Sequence, residues 1–198
     1  MKIISILLLS VITLSCTAKA QSIQQETEQQ SIIVQSAEPT AEITFTFTRQ
    51  SGSASNQYAI WIEDAQGQFI KTLYATRWTA NGGFNRRPTS IPLWVNRSGL
   101  SETPHEMIDT VSGATPRTGA VTYTWDGTNS RGVNVPAGNY VLVMEGTLRW
   151  ENQVYYRAPI TLGRGASTPQ VSVEYVSGDR DTTAERSMIS DVTVRVLR

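Results

Sequence analysis

From residue 43 the chain alternates apolar and polar residues with a period of two: Ile43, Phe45 and Phe47 interleave with Thr44, Thr46 and Thr48. Successive side chains of an extended strand point to opposite faces, so this pattern puts an apolar stripe on one face and hydroxyls on the other. The signature recurs where Val121, Tyr123 and Trp125 alternate with Thr122 and Thr124. Segments 58–63 and 69–74 flank Asp64-Ala65-Gln66-Gly67, a turn with Gly where a positive φ is wanted, and together read as a hairpin. Segment 140–144 is apolar at every position, which suits a central strand covered on both faces. Segments 154–162, 171–176 and 192–197 supply further strands, and no stretch after residue 40 carries a helical period. The expected fold class is all-β, an antiparallel sandwich with Trp61 or Trp125 buried in it.

A chain of 198 residues with 39% hydrophobic content can bury one core and is short for two domains. Seventeen basic residues balance seventeen acidic ones, and they are scattered, so no basic field argues for nucleic acid or an anionic membrane. Lys2 followed by an apolar run to Leu14 is too short for a permanent bilayer span. With Ala18-Lys19-Ala20 behind it, the run reads as a signal peptide, residues 1–20, cleaved before Gln21. The alternative is a lipoprotein acylated at Cys16, the single cysteine. Either route leaves no disulfide and no cysteine-based metal site. Residues 21–40, rich in Gln, Glu and Ser, read as a flexible linker before a domain spanning 41–198. The expected location is periplasmic or otherwise extracytoplasmic, with no integral membrane span in the mature chain.

Two segments carry a family resemblance. Ile60-Trp61-Ile62-Glu63-Asp64-Ala65-Gln66-Gly67-Gln68-Phe69-Ile70-Lys71-Thr72-Leu73 is one. Thr124-Trp125-Asp126-Gly127-Thr128-Asn129-Ser130-Arg131-Gly132, continuing through Pro136-Ala137-Gly138-Asn139-Tyr140, is the other. Together they resemble the immunoglobulin-like domain of flagellar hook-capping proteins, which implies an immunoglobulin-like sandwich and says nothing of function. About 45 residues, roughly 75–119, separate the second hairpin strand from the next motif. That is a long insertion, and long loops in compact domains tend to be functional or disordered. With the export signal, the whole arrangement resembles an uncharacterised family of predicted periplasmic proteins. That resemblance implies an association with flavin transferases and with membrane redox partners.

Inside the insertion stands Asp109-Thr110-Val111-Ser112-Gly113-Ala114-Thr115. It resembles the D-x-x-S/T-G-A-T sequence at which extracytosolic flavin transferases attach FMN through a phosphoester to the last threonine. The resemblance implies Asp109, Ser112, Gly113, Ala114 and Thr115 as cofactor-binding positions, with Thr115 supplying the hydroxyl. Small residues at 113 and 114 would leave a transferase room to grip the backbone, and Asp109 would orient the segment or face the metal-bound pyrophosphate. Trp78 and Trp94, in the same insertion, are candidates for stacking on the flavin. The same residues also make a turn, with Ser and Thr bonding locally and Gly allowing a positive φ. Pro116 pushes Thr115 toward extended geometry in either case.

The remaining polar residues weigh toward structure. His105 has no second histidine or cysteine to share a metal with. Glu63-Asp64 and the pair Asp179 and Asp181 lack the alternating oxygen spacing of a calcium loop. Arg86-Arg87, near Trp78 and Trp94, either recognises a phosphate or an acidic partner, or stacks on an aromatic in a solvated loop. Tyr155-Tyr156 and Trp150 read as core and cross-strand pairs. No nucleophile–base pair, phosphate loop or metal cluster is legible, so no catalytic residue is expected. Two functions stay open: an accessory or covalent FMN carrier in an envelope electron-transfer system, or a plain structural or protein-binding module without cofactor.

Overall fold

The structure, a computed structural model, describes residues 39–100, 111–178 and 183–198. The signal segment with Cys16, the linker up to residue 38, His105, Asp109, Asp179 and Asp181 lie outside the described residues.

Among the described residues, nine strands form two sheets. One has three strands in the order β5 (Gly119–Trp125), β1 (Ala41–Phe47), β9 (Ile189–Val196). The other has six, in the order β4 (Ser112–Gly113), β3 (Phe69–Thr76), β2 (Gln57–Asp64), β6 (Gly138–Arg149), β7 (Asn152–Leu162), β8 (Ser172–Val176). All pairings are antiparallel except β3 with β4, which run parallel. This is the expected all-β sandwich. The β2–β3 hairpin closes as the turn residues dictate: Asp64 Oδ1 accepts from the N–H groups of Gln66 and Gln68, and Gly67 takes φ +77°.

The main core lies between the sheets. Ile43, Phe45 and Phe47 of β1 meet Tyr58, Ile60 and Ile62 of β2 and Leu142 and Met144 of β6. Trp125, fully buried, stands edge-on to Tyr140 with centroids 5.4 Å apart and donates its indole N–H to the Thr128 carbonyl at 2.8 Å. Alternation in β2 and β6 sends the intervening residues to the other face of the six-stranded sheet, where Ala59, Trp61 and Val143 build a second, smaller core. That face is covered by the segment 77–100, which follows β3. It holds an irregular helical turn, Thr79–Gly83, and two short helices, α1 (Phe84–Arg86) and α2 (Pro92–Arg97). Ala80, Ile91, Trp94 and Leu100 are the cap's contribution to the second core.

These helical turns stand in sequence that carries no helical period. A six-residue helix is too short to show a 3.6-residue period, and Pro92 at its first turn supplies the start. Ile91 precedes it at φ +42° and ψ +57°, a costly left-handed conformation for a β-branched residue. Buried contacts hold it there: its N–H donates to Thr147 Oγ1 at 2.9 Å. Trp150 is corrected. It sits in the β6–β7 turn at φ +51°, 37% exposed, rather than in the core. Tyr156 is buried and donates to the Ile189 carbonyl at 2.8 Å.

Candidate functional site

The segment carrying Ser112 to Thr115 joins the sheet at its edge. Ser112 and Gly113 form β4, paired in parallel with the end of β3 through Ala75↔Ser112 and Thr76↔Gly113. Gly113 is therefore an extended strand residue, and the positive φ that a turn would need is absent from it. The Tyr74 ring explains the glycine instead. A Cβ at residue 113 would stand 2.7 Å from Tyr74 Cε2. The Tyr74 hydroxyl donates toward the carbonyls of Gly113, at 3.1 Å, and Ala114, at 2.9 Å. Tyr74 is itself held in an aromatic group, 4.9 Å from Tyr58 and 4.6 Å from Tyr123 between centroids. Tyr58 and Tyr123 share a hydroxyl–hydroxyl bond of 2.8 Å.

Thr115 lies two residues beyond the last ladder pair, in irregular backbone and half-buried. Its hydroxyl donates to the Asn56 carbonyl at 3.4 Å, a long and weak bond. Asn56 is fixed by its own side chain, which accepts from the Gln50 N–H at 2.7 Å and donates to the Gln50 carbonyl at 2.8 Å. Ala114 is exposed. Ser112 Oγ is buried without a hydrogen-bond partner among the described residues, so its hydroxyl neither caps a turn nor points to solvent.

Where β3 ends, the chain runs into Arg77 and Trp78. Trp78 is 42% exposed, with the Arg87 guanidinium over its ring at 4.7 Å. Arg87 also donates to Ser90 Oγ at 3.1 Å, and Ser90 meets Thr79 Oγ1 at 2.6 Å. A recess of about 290 Å³ opens here, lined by Arg77, Trp78, Asn81, Gly82, Gly83 and Arg86. Trp94 is a different matter. It is 2% exposed and donates its indole N–H to Thr72 Oγ1 at 3.0 Å, so it packs the cap onto the sheet and offers no ring face to a ligand. That corrects its standing as a stacking residue.

Of the other acidic candidates, Glu63 and Asp64 have structural partners. Glu63 Oε1 accepts from the Trp61 indole at 2.8 Å and lies 3.6 Å from Arg97 Nε, and Asp64 closes its turn. Among the described residues no three His, Cys, Asp or Glu side chains gather as metal ligands. Sequence reasoning missed Glu145. This carboxylate is fully buried on the cap-facing side of β6 and accepts from the N–H groups of Leu93, at 3.1 Å, and Trp94, at 2.7 Å. Burial pushes its carboxyl up to about 7, against the lowering effect of those two donors, the Tyr155 hydroxyl and the Arg157 charge. A lone acid directly after the apolar run of 140–144 was the available signal.

A two-sheet antiparallel sandwich with a helical cap over one outer face defines the class: an all-β domain whose candidate site lies where the cap meets the sheet edge. Within that class, the chain belongs to the family described as predicted periplasmic protein (DUF2271), whose model matches residues 40–178. That description supports a periplasmic or otherwise extracytoplasmic location. No curated protein and no solved structure matches the chain. Among the described residues no helix is long and apolar enough to cross a membrane.

Proposed function

We propose that this domain is an extracytoplasmic carrier of FMN, joined to Thr115 through a phosphoester. The observation that carries the reading is the pairing of a rigid frame with a loosely held hydroxyl. Tyr74 fixes the backbone at Gly113 and Ala114, while among the described residues Thr115 Oγ1, outside the strand ladder, has only its 3.4 Å bond to Asn56 to give up. A transferase can therefore reach the hydroxyl without unzipping a strand.

Attachment is a displacement at phosphorus. Thr115 Oγ bonds to the FMN phosphorus of FAD, the pyrophosphate P–O bond to AMP breaks, and the hydroxyl proton passes to a base on the transferase. Nothing is oxidised or reduced in that step. The bound flavin would then supply electron transfer, and this chain would hold and orient it for a membrane redox partner, with no catalytic residue of its own. The residues present suit such a group: the recess after the end of β3 is lined by two arginines and an exposed tryptophan.

A plain structural or protein-binding module is the second reading. Gly113 favours it, because the Tyr74 ring accounts for that glycine without any cofactor.

Co-expression with a flavin transferase, followed by intact mass and in-gel flavin fluorescence, separates the two. The carrier reading expects one FMN per wild-type chain and none on Thr115→Val. That variant should keep its stability within about 1 kcal/mol, since it loses one weak, half-exposed hydrogen bond. Wild-type protein of unmodified mass, or a Thr115→Val chain that still gains FMN, overturns the carrier reading.

A further inference from the structure

We propose that the recess formed by Arg77, Trp78, Asn81, Gly82, Gly83 and Arg86 receives the ring system of the flavin, with the exposed part of the Trp78 indole against it and the arginines facing its electron-rich edge. This rests on FMN attachment at Thr115 and adds the site that the ring occupies.

Chain connectivity bounds the distance between the two positions. β3 and β4 run parallel, and their last pair is Thr76↔Gly113. Trp78 and Thr115 each follow that pair by two residues in their own strand's direction. With ~3.8 Å per Cα step and ~4.8 Å between strands, their Cα atoms stand at most about 20 Å apart. A threonine side chain, the ribityl phosphate and the Trp78 side chain divide that span between them.

The recess is built, not incidental to a loose loop. The turn over Thr79–Gly83 wraps so tightly that a Cβ at Gly83 would come 2.3 Å from the Trp78 carbonyl and 2.5 Å from the ring at Cδ2. Gly82 takes φ +88° to make the bend. The Gly83 backbone packs against the Trp78 carbonyl and ring where no side chain would fit, and the indole as a whole stays 42% exposed. Thr79, just below, is fully buried and anchored to Gln57 Oε1 at 2.9 Å, which ties the turn to β2.

The charge is one-sided. Arg77 and Arg86 line the recess, Arg87 lies over the Trp78 ring, and among the described residues no carboxylate lines it. Cations beside the pyrimidine edge favour the reduced, negatively charged flavin over the oxidised neutral one, and so raise its midpoint potential. A volume of about 290 Å³ lies at the small end of ligand pockets (roughly 300–1,000 Å³), enough for a planar ring and too little for a dinucleotide.

The test uses the full exported chain loaded by a transferase, comparing wild type with Trp78→Ala and Arg86→Gln. Intact mass comes first. Absence of FMN on the wild type overturns attachment at Thr115 and this site with it. With equal FMN per chain, Trp78→Ala should brighten flavin emission several-fold, because an indole in contact with the flavin quenches it. Arg86→Gln, an exposed change that does not threaten folding, should lower the midpoint potential and leave emission near the wild-type level. Emission and potential unchanged in both variants at full loading would overturn the recess as the ring site while leaving Thr115 as the point of attachment.

Discussion

Gly113 lies against the edge of the Tyr74 ring, where a Cβ would stand 2.7 Å from Cε2, and the Tyr74 hydroxyl donates toward the Gly113 carbonyl at 3.1 Å. One aromatic side chain of β3 thus dictates both the residue type and the backbone position of a strand 39 residues further along. Real Cβ atoms do not approach that closely, so any larger residue at 113 must push Tyr74 back into Tyr58 and Tyr123.

Gly113→Ala should therefore destabilise the domain by about 1–3 kcal/mol, the usual cost of overpacking. The clash has a single named partner, which makes a double-mutant cycle decisive. In a Tyr74→Ala background the same glycine substitution should cost well under 1 kcal/mol. Equal costs in both backgrounds, by urea denaturation, would show that Tyr74 is not what requires the glycine.

Much of the sandwich was legible because half-buried strands advertise themselves. Ile43, Phe45 and Phe47 all point into the main core, and Gly67 stands where the hairpin turn needs it. The continuous apolar run of 140–144 does sit in a central strand, with Leu142 and Met144 facing the sandwich core and Val143 facing the cap. What the alternation could not reveal was the identity of that second cover. Six residues of α2 are too few to show a period, and Trp94 in a loop-like stretch reads equally well as an exposed ligand platform. The motif itself was visible as a string, but Asp109 lies outside the described residues. The reason for Gly113 was also hidden, since it depends on a long-range contact to Tyr74 that no local pattern encodes.

Trp94 should act on the cap more than on the sandwich. Trp94→Ala removes a buried indole and its bond to Thr72, with an expected cost of about 3–5 kcal/mol for the element it anchors. Because the second core is separate from the one around Trp125, hydrogen exchange should accelerate first in residues 84–100, while β1 and β6 keep their protection. Trp125→Ala should instead lower protection throughout both sheets. Uniform loss of protection in Trp94→Ala would mean that cap and sandwich unfold as one unit.

Glu145 gives the cap a pH dependence whose sign is opposite to that of an ordinary ion-paired acid. Burial raises its folded pKa to about 7 from a model-peptide value of 4.5, so the folded state binds the proton more tightly than the unfolded chain. The stability it contributes is fully present below about pH 4.5, falls as pH rises, and is gone above about pH 7. The slope across that window is bounded by ~1.4 kcal/mol per pH unit, and the groups that favour the ionised form reduce the total to a few kcal/mol at most. Those groups are the Leu93 and Trp94 N–H donors, the Tyr155 hydroxyl and the Arg157 charge. Glu145→Gln keeps one acceptor for Trp94 but turns an amide N–H₂ toward the Leu93 donor, costing about 1 kcal/mol of its own at every pH. What it should abolish is the slope. Urea midpoints taken between about pH 5 and pH 7.5 should fall for the wild type and stay flatter for the variant. Parallel curves for the two proteins would show that Glu145 does not change its protonation on unfolding in this range, and that its carboxylate is held charged by the α2 donors from the acid side onward.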